Sequence, residues 1–459
     1  MTATLQRYQQ LTPWQKDQPS RTGALGVYVG NNLVLTTGNV ARAATYVELS
    51  LPDESRTVPA RVLRYDSDLN LALLSVHREE DASIFDSCAE MSVGHPLKPG
   101  EQAELAGVIN GREPMRVALR VEGACEDAAF PRLSLRAEQP LPPQHGMGAP
   151  IVKDGQMVAM AAGFDSEDML LATVNAEQIK RFISTTHPLL TPVLGLKFTL
   201  LNDPAFCRYL KLDPAAGGLY ISDVLYGGVA AEMGIAAGDV LLAIDDMPLD
   251  NMGRCRHAIY GMLDAAAAIR GHKPVGESMK LTISHHGEKK DVTVALNRNA
   301  YDYMLMKREA DDARPRYILW GGMLFQPVTQ NYLQALAAKA KGDLPKEYQE
   351  LDAREEEFRA RGCRELIGLN MIIPTEATLG YEELRFCVVE AVNGKPVPDM
   401  ETFAALLDDE TADGITHLRL NKAPYNIYLD RAMVKQVDEM LRARMMPQLR
   451  YLGGSEESE

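Results

Sequence analysis

The chain has 459 residues, 46% of them hydrophobic and 24% charged, with a formal net charge of −15. That length exceeds what one hydrophobic core serves and predicts two to four domains, with the composition of an ordinary globular protein. An acidic chain without a dense Lys/Arg block argues against nucleic acid as a partner, and no apolar run reaches the roughly 18–20 residues of a membrane-spanning helix.

Residues 1–21 are polar and lack the apolar core of a signal peptide. The expected compartment is the cytoplasm for the chain as it stands, or the periplasm or cell envelope if an export signal precedes this sequence. The six cysteines, at 88, 125, 207, 255, 363 and 387, contain no CxxC pair and read as buried or free thiols, with disulfides or a metal as the alternatives. The nine histidines are scattered, so no metal or cofactor is expected. His285-His286 open a His-His-Gly-Glu turn and read as solvated.

Short apolar runs separated by turn signals fill the first 190 residues, as in an all-β barrel. Gly26-Val27-Tyr28-Val29 leads to a turn at Gly30-Asn31-Asn32, and Leu33 to Thr37 is the next strand. Tyr46 to Leu51, Ala60 to Tyr65 and Leu69 to Val76 follow. Beyond a polar loop, Gln144-His145-Gly146-Met147-Gly148-Ala149-Pro150 precedes the short apolar pair Ile151-Val152.

These segments resemble the trypsin-like proteases of the high-temperature-requirement (HtrA/Deg) family. The loop from Gln144 has the spacing of that fold's G-N-S-G-G-P nucleophile loop, with Met147 at the serine position and His145, Gly146 and Gly148 as remnants of the oxyanion loop. Val34-Leu35-Thr36-Thr37-Gly38-Asn39-Val40-Ala41 matches the segment that carries the catalytic histidine and places Asn39 there. Asn70-Leu71-Ala72-Leu73-Leu74 matches the aspartate segment and places Asn70 there; Asp68, in an alternating strand, would share its face but be offset by nearly 7 Å. A thioether has no proton to give up, and a neutral amide cannot take one near pH 7. The resemblance thus implies a protease fold without protease chemistry.

Thr191 to Phe198 opens a second unit after Pro188 and Pro192. Gly217 to Val224, the small-residue helix Gly228 to Ile235 and Ala237-Gly238-Asp239-Val240-Leu241-Leu242-Ala243-Ile244-Asp245 follow. This succession resembles a circularly permuted PDZ domain, which implies that a peptide adds as a strand beside Leu194, Gly195, Leu196 and Phe198. The expected facing helix is Cys255 to Ile269, with Ala258, Ile259, Met262 and Leu263 as wall or core residues at helical spacing.

After a polar connector, Tyr317 to Phe325 reads as a strand with a glycine-bearing loop, and Phe386 to Val397 resembles a PDZ segment followed by a helix at Asp399 to Leu407. The whole resembles the divergent second PDZ domain of the plant-type Deg proteases. Pro345 to Arg361 is expected as one charged helix with the i,i+4 pairs Glu350–Arg354, Glu355–Arg359 and Glu357–Arg361. Arg431 to Leu449 is expected as a methionine-bearing helix, and residues 453–459 as an acidic, disordered tail.

The predicted fold is mainly β with α: an N-terminal segment (1–21), a trypsin-like double β-barrel (22–189), a first PDZ domain (190–298), a connector (299–315), a second PDZ domain (316–452) and the tail (453–459). The expected function is a catalytically inactive peptide- or protein-binding scaffold or adaptor. The alternatives are a holdase for unfolded chains and a serine endopeptidase with displaced catalytic residues. The resemblance implies homo-oligomers, trimers or their multiples, with Tyr8 and Trp14 as trimer contacts or as aromatics packed on their own barrel.

Overall fold

The structure, a computed structural model, describes residues 1–53, 55–109, 113–125, 130–139, 141, 147–165, 169–185, 191–213, 215, 217–225, 228–299, 304–310, 312–422, 426–444 and 448–453. The chain divides into two compact units. One comprises Met1–Leu5 with Pro19–Ala300, the other Gln6–Gln18 with Tyr301–Glu459.

The first unit begins with two β-layers. Seven strands form one antiparallel sheet in which Thr2–Leu5 lies between Ser20–Gly23 and Ala44–Ser50, followed by Thr57–Asp66, Leu71–Val76, Leu33–Thr37 and Val27–Tyr28. Six more close a barrel from Gln102–Ile109 to Leu170–Asn175. The seven-stranded sheet has its own apolar interior, and that of the closed barrel is continuous with the core of the domain that follows it. A third cluster, with Leu35, Leu71, Met157, Met160 and Phe182, draws on both. The helix Ala176–Ser184 follows the closed barrel and starts on a full capping box, Asn175 with Gln178.

A five-strand path, Leu196–Leu200, Leu219–Val224, Val240–Ile244, Ser278–His285 and Glu288–Ala295, completes this unit. Its last two strands join at His286 and Gly287, both at positive φ, in the two-residue turn that right-twisted strands favour. The expected helix over Cys255 to Ile269 is corrected. Arg254–His257 and Gly261–Asp264 are a hairpin, and the helix is Ala265–His272, capped by Asp264. Cys255, His257 and Leu263 alternate inward, so the operative period is two, and Gly261 at φ 79 turns the chain.

The second unit holds an eight-stranded sheet around Tyr317–Trp320, Met323–Pro327, Ile367–Ile372 and Cys387–Val392, covered by the helix Met400–Asp408. The single charged helix is also corrected: the segment is Lys346–Gln349, the turn Asp352–Arg354 and Glu355–Ala360. Arg354 therefore pairs with Glu357, three residues on, instead of Glu350, while Arg359 meets Glu355 at 2.9 Å and Arg361 meets Glu357. The last helix is Arg431–Arg444, shorter than expected. The acidic tail beyond residue 453 lies outside the described residues.

Trp14 belongs to the second unit. Its ring meets Tyr317 edge to face at 5.8 Å and joins the core of the second unit. Tyr8 lies under the Lys16 ammonium, 4.6 Å from its ring centre, and near the Arg314 guanidinium.

Candidate functional site

Asn39 sits in the helical turn Gly38–Ala41, directly after the strand Leu33–Thr37. Its backbone N–H donates to Asn70 Oδ1 at 2.8 Å. Asn70 ends the turn before Leu71–Val76 at φ 57, a left-handed conformation that asparagine tolerates better than most side chains. Its Nδ2 donates to the Ala162 carbonyl at 3.0 Å, across to the closed barrel. Asn70 thus spends its acceptor on one layer and its donor on the other. Asn39 Oδ1 is buried and has no hydrogen-bond partner among the described residues.

Asp68 is not on a strand face with Asn70. The turn before Leu71 is organised by Asp66, whose Oδ1 accepts from the backbone N–H groups of Asp68 and Leu69, both at 2.9 Å. The Asp68 carboxylate approaches Thr191 Oγ1 at 3.5 Å, and its carbonyl accepts from Arg132 at 2.8 Å. Met147 lies in the turn before Pro150–Lys153, and Gly148 beside it has φ 76. A Cβ on Gly148 would fall 2.5 Å from the Leu25 carbonyl oxygen, so only glycine fits there. Gly148 N–H donates to the Ala161 carbonyl at 3.0 Å. His145 and Gly146 lie outside the described residues.

In the following domain, Leu196–Leu200 ends its sheet: its partner is Leu219–Val224, and among the described residues no strand pairs with its other edge. Gly195 precedes it at φ 74, with space for a Cβ limited by Gly228 Cα at 3.1 Å. The Leu194 and Gly195 carbonyls accept from Ala230 and Leu225 N–H groups, which fixes the loop. Leu194 is buried, while Leu196 and Phe198 are half-buried against the core. This is the geometry of an acceptor edge for a peptide strand.

Ala258 and Ile259 do not line that edge. They occupy the tip of the 254–264 hairpin and border a cavity of about 450 Å³ with Asn175, Gln178 and Tyr260. Met262 is exposed on the hairpin. The cavity holds a directed chain that sequence reasoning missed. Ile259 N–H donates to His257 Nδ1 at 3.1 Å, so the His257 proton sits on Nε2, which faces His272 Nδ1 at 3.2 Å. His272 Nε2 then meets Asp245 Oδ2 at 3.0 Å, where Lys273 also binds at 2.9 Å. Burial, with the nearby His272 charge second, pushes His257 down to about 4. Tyr260 OH accepts from Asn175 Nδ2 at 2.7 Å. Nothing local in the sequence links two histidines fifteen residues apart. Among the described residues no His, Cys, Asp and Glu group has the geometry of a metal site, and no helix is long and apolar enough to cross a membrane.

The second unit repeats the glycine-led loop at Gly321-Gly322, but there the strand Met323–Pro327 is paired on both sides, with Ile367–Ile372 and with Tyr317–Trp320.

Comparison with known proteins gives two matches to the PDZ domain family, over residues 207–260 and 306–448. Protease Do-like 2, chloroplastic, of Arabidopsis thaliana is 22% identical over 86% of this chain and 65% of its own length. Putative protease Do-like 11, mitochondrial, of the same plant is 20% identical over 88% of this chain and 66% of its own. Serine protease Do-like HtrA of Lactobacillus helveticus is 22% identical over 59% of this chain and 66% of its own. The chain therefore spans just under two thirds of the length of these relatives. Among solved structures, an HtrA-type protease with a decapeptide is 17% identical, covering 62% of this chain and 85% of that one at a TM-score of 0.47. With two PDZ domains in sequence order and Do-like relatives aligned along most of its length, the chain is similar to the HtrA/Deg proteases.

Proposed function

We propose that this chain is a pseudoprotease: a peptide-binding adaptor that uses the first PDZ domain for recognition and does not hydrolyse what it holds. The observation that carries the reading is the Asn39–Asn70 pair. Hydrolysis by this fold needs a base that takes the nucleophile's proton and an anion that holds the resulting cation. Asn70 is neutral and engaged with the Asn39 amide and the Ala162 carbonyl. Asn39 supplies no basic nitrogen, and Met147 supplies no ionisable nucleophile.

Recognition rests on the open edge of Leu196–Leu200 and the fixed Gly195 loop. An extended peptide gains main-chain hydrogen bonds along such an edge, and its side chains meet Leu196 and Phe198. The barrel is then a platform for assembly, and the homo-oligomer follows as part of the same proposal; a light-scattering mass of one chain would remove it.

The chemical half is tested by incubating the purified chain with unfolded casein. No cleavage above the buffer control is expected. Cleavage that disappears when a barrel residue is altered would overturn the reading.

A further inference from the structure

The two glycine-led loops differ in what occupies the strand edge beside them. In the first PDZ domain no strand among the described residues covers the edge of Leu196–Leu200. In the second, the equivalent strand Met323–Pro327 carries Tyr317–Trp320 on that edge, antiparallel, in the register Ile318 to Phe325, Leu319 to Leu324 and Trp320 to Met323. The added strand has the polarity of a bound peptide, because its C-terminal end reaches the glycine loop. It is deeply buried: Tyr317, Ile318 and Leu319 are 0% exposed. Its other edge is closed by Arg450–Tyr451, and Leu319 N–H donates to the Leu449 carbonyl at 2.7 Å.

A peptide C-terminus would also bring a carboxylate to the loop's backbone N–H groups. A carboxylate is already there. Gly321 N–H donates to Asp438 Oδ1 at 2.8 Å, from the helix Arg431–Arg444. Asp438 is 9% exposed. The helix sits so closely that a Cβ on Gly321 would fall 2.9 Å from Val434 Cγ2. The loop's other side is held as well: Thr375 Oγ1 donates to the Gly321 carbonyl at 3.2 Å, and Ile373 N–H donates to the Gly322 carbonyl at 2.7 Å.

We propose that the second PDZ domain is self-occupied: Tyr317–Trp320 fills the position of the peptide strand, and Asp438 is the surrogate for its terminal carboxylate. Peptide recognition is thereby left to the Gly195 edge, and the second domain acts as a closed structural module. Burial raises the Asp438 carboxyl above its ordinary range, opposed by the Gly321 N–H and by the charges of Arg442 and Arg450. The buried Asp438 carboxyl is costly to leave without the Gly321 amide.

The inference goes beyond the adaptor reading and can fail separately from it. The test uses the full chain and a library of peptides with free C-terminal carboxylates, each carrying a benzophenone side chain, with adducts mapped by mass spectrometry. No adducts on residues 317–327 or 400–408 are expected; adducts there would overturn the proposal. Adducts across residues 191–272, or their absence, bear on the adaptor reading alone. In parallel, hydrogen exchange is followed on the full chain. Asp438→Ala is expected to speed exchange of the Gly321 amide at least tenfold while the strands Ser278–His285 and Glu288–Ala295 stay unchanged. Asp438→Asn, which keeps an acceptor, should fall between, and it stands in if the alanine variant does not fold. Unchanged Gly321 exchange in a folded variant would contradict the surrogate role.

Discussion

Asn70 is constrained at both ends of its side-chain amide. Its Oδ1 accepts from Asn39 N–H and its Nδ2 donates to the Ala162 carbonyl, so both ends of the amide are used. Aspartate is isosteric but has no donor when ionised. Asn70→Asp is expected to set a carboxylate oxygen against the Ala162 carbonyl and to cost roughly 1–3 kcal/mol, the range for a buried group left without its partner. Urea denaturation measures this; an unchanged midpoint would contradict the bridging role. His257 supports a second prediction. Its pKa in the fold, about 4, is depressed from an ordinary value of 6.5, so the unfolded chain takes up this proton first as pH falls. Its contribution to stability is complete above about 6.5 and is lost progressively as pH falls to about 4, at a scale of roughly 3 kcal/mol. His257→Gln should flatten the pH dependence of the thermal midpoint in that window. A profile of unchanged slope would place the acid sensitivity elsewhere.

At the scale of elements, local pattern and long-range pairing part company. The barrel strands were legible because short apolar runs bounded by turn residues recur along the chain, as in Leu33–Thr37 and Leu71–Val76, both buried almost throughout. The hairpin at 254–264 was not, since Ala258, Ile259, Met262 and Leu263 mimic a helical stripe while Gly261 and the Cys255–Leu263 pairing impose a two-residue period. The assignment of Asn39, Asn70 and Met147 to triad positions rests on the sequence resemblance alone, whereas the Asn70 bridge to Ala162 depends on a partner 92 residues away. The His257–His272–Asp245 chain and the strand Tyr317–Trp320 were equally hidden, because neither spacing nor composition specifies a pairing made through the tertiary fold. In the second unit Arg316 ties elements together, with Glu365 at 2.5 Å, Glu401 at 3.2 Å and Glu309 at 3.7 Å. Burial raises the Glu309 carboxyl, and the Arg316 charge counters it. Arg316→Met would leave the Glu365 carboxylate, 10% exposed, without its cation, and a loss of about 3–5 kcal/mol is expected. The double variant with Glu365→Leu should recover part of that loss, since the stranded charge goes with its partner. Calorimetric midpoints of the two variants decide it; equal losses would mean that the pair is uncoupled.

For the whole molecule, a trypsin-like fold with two PDZ domains carries the Asn39–Asn70 pair, a PDZ edge at Leu196–Leu200 that no strand covers among the described residues, and a second glycine loop closed by Asp438. A chain so arranged is expected to hold peptides without cutting them. Gly195 is the position to probe, because a side chain there meets Gly228 Cα and must adopt φ 74. The most direct measurement incubates the full chain, beside Gly195→Trp, with a library of peptides bearing free C-termini and reads retained peptides and their masses by mass spectrometry. Selective retention of intact peptides, lost in Gly195→Trp, is the predicted result. Peptide fragments that arise only in the presence of the chain, and vanish when a barrel residue is altered, would contradict it.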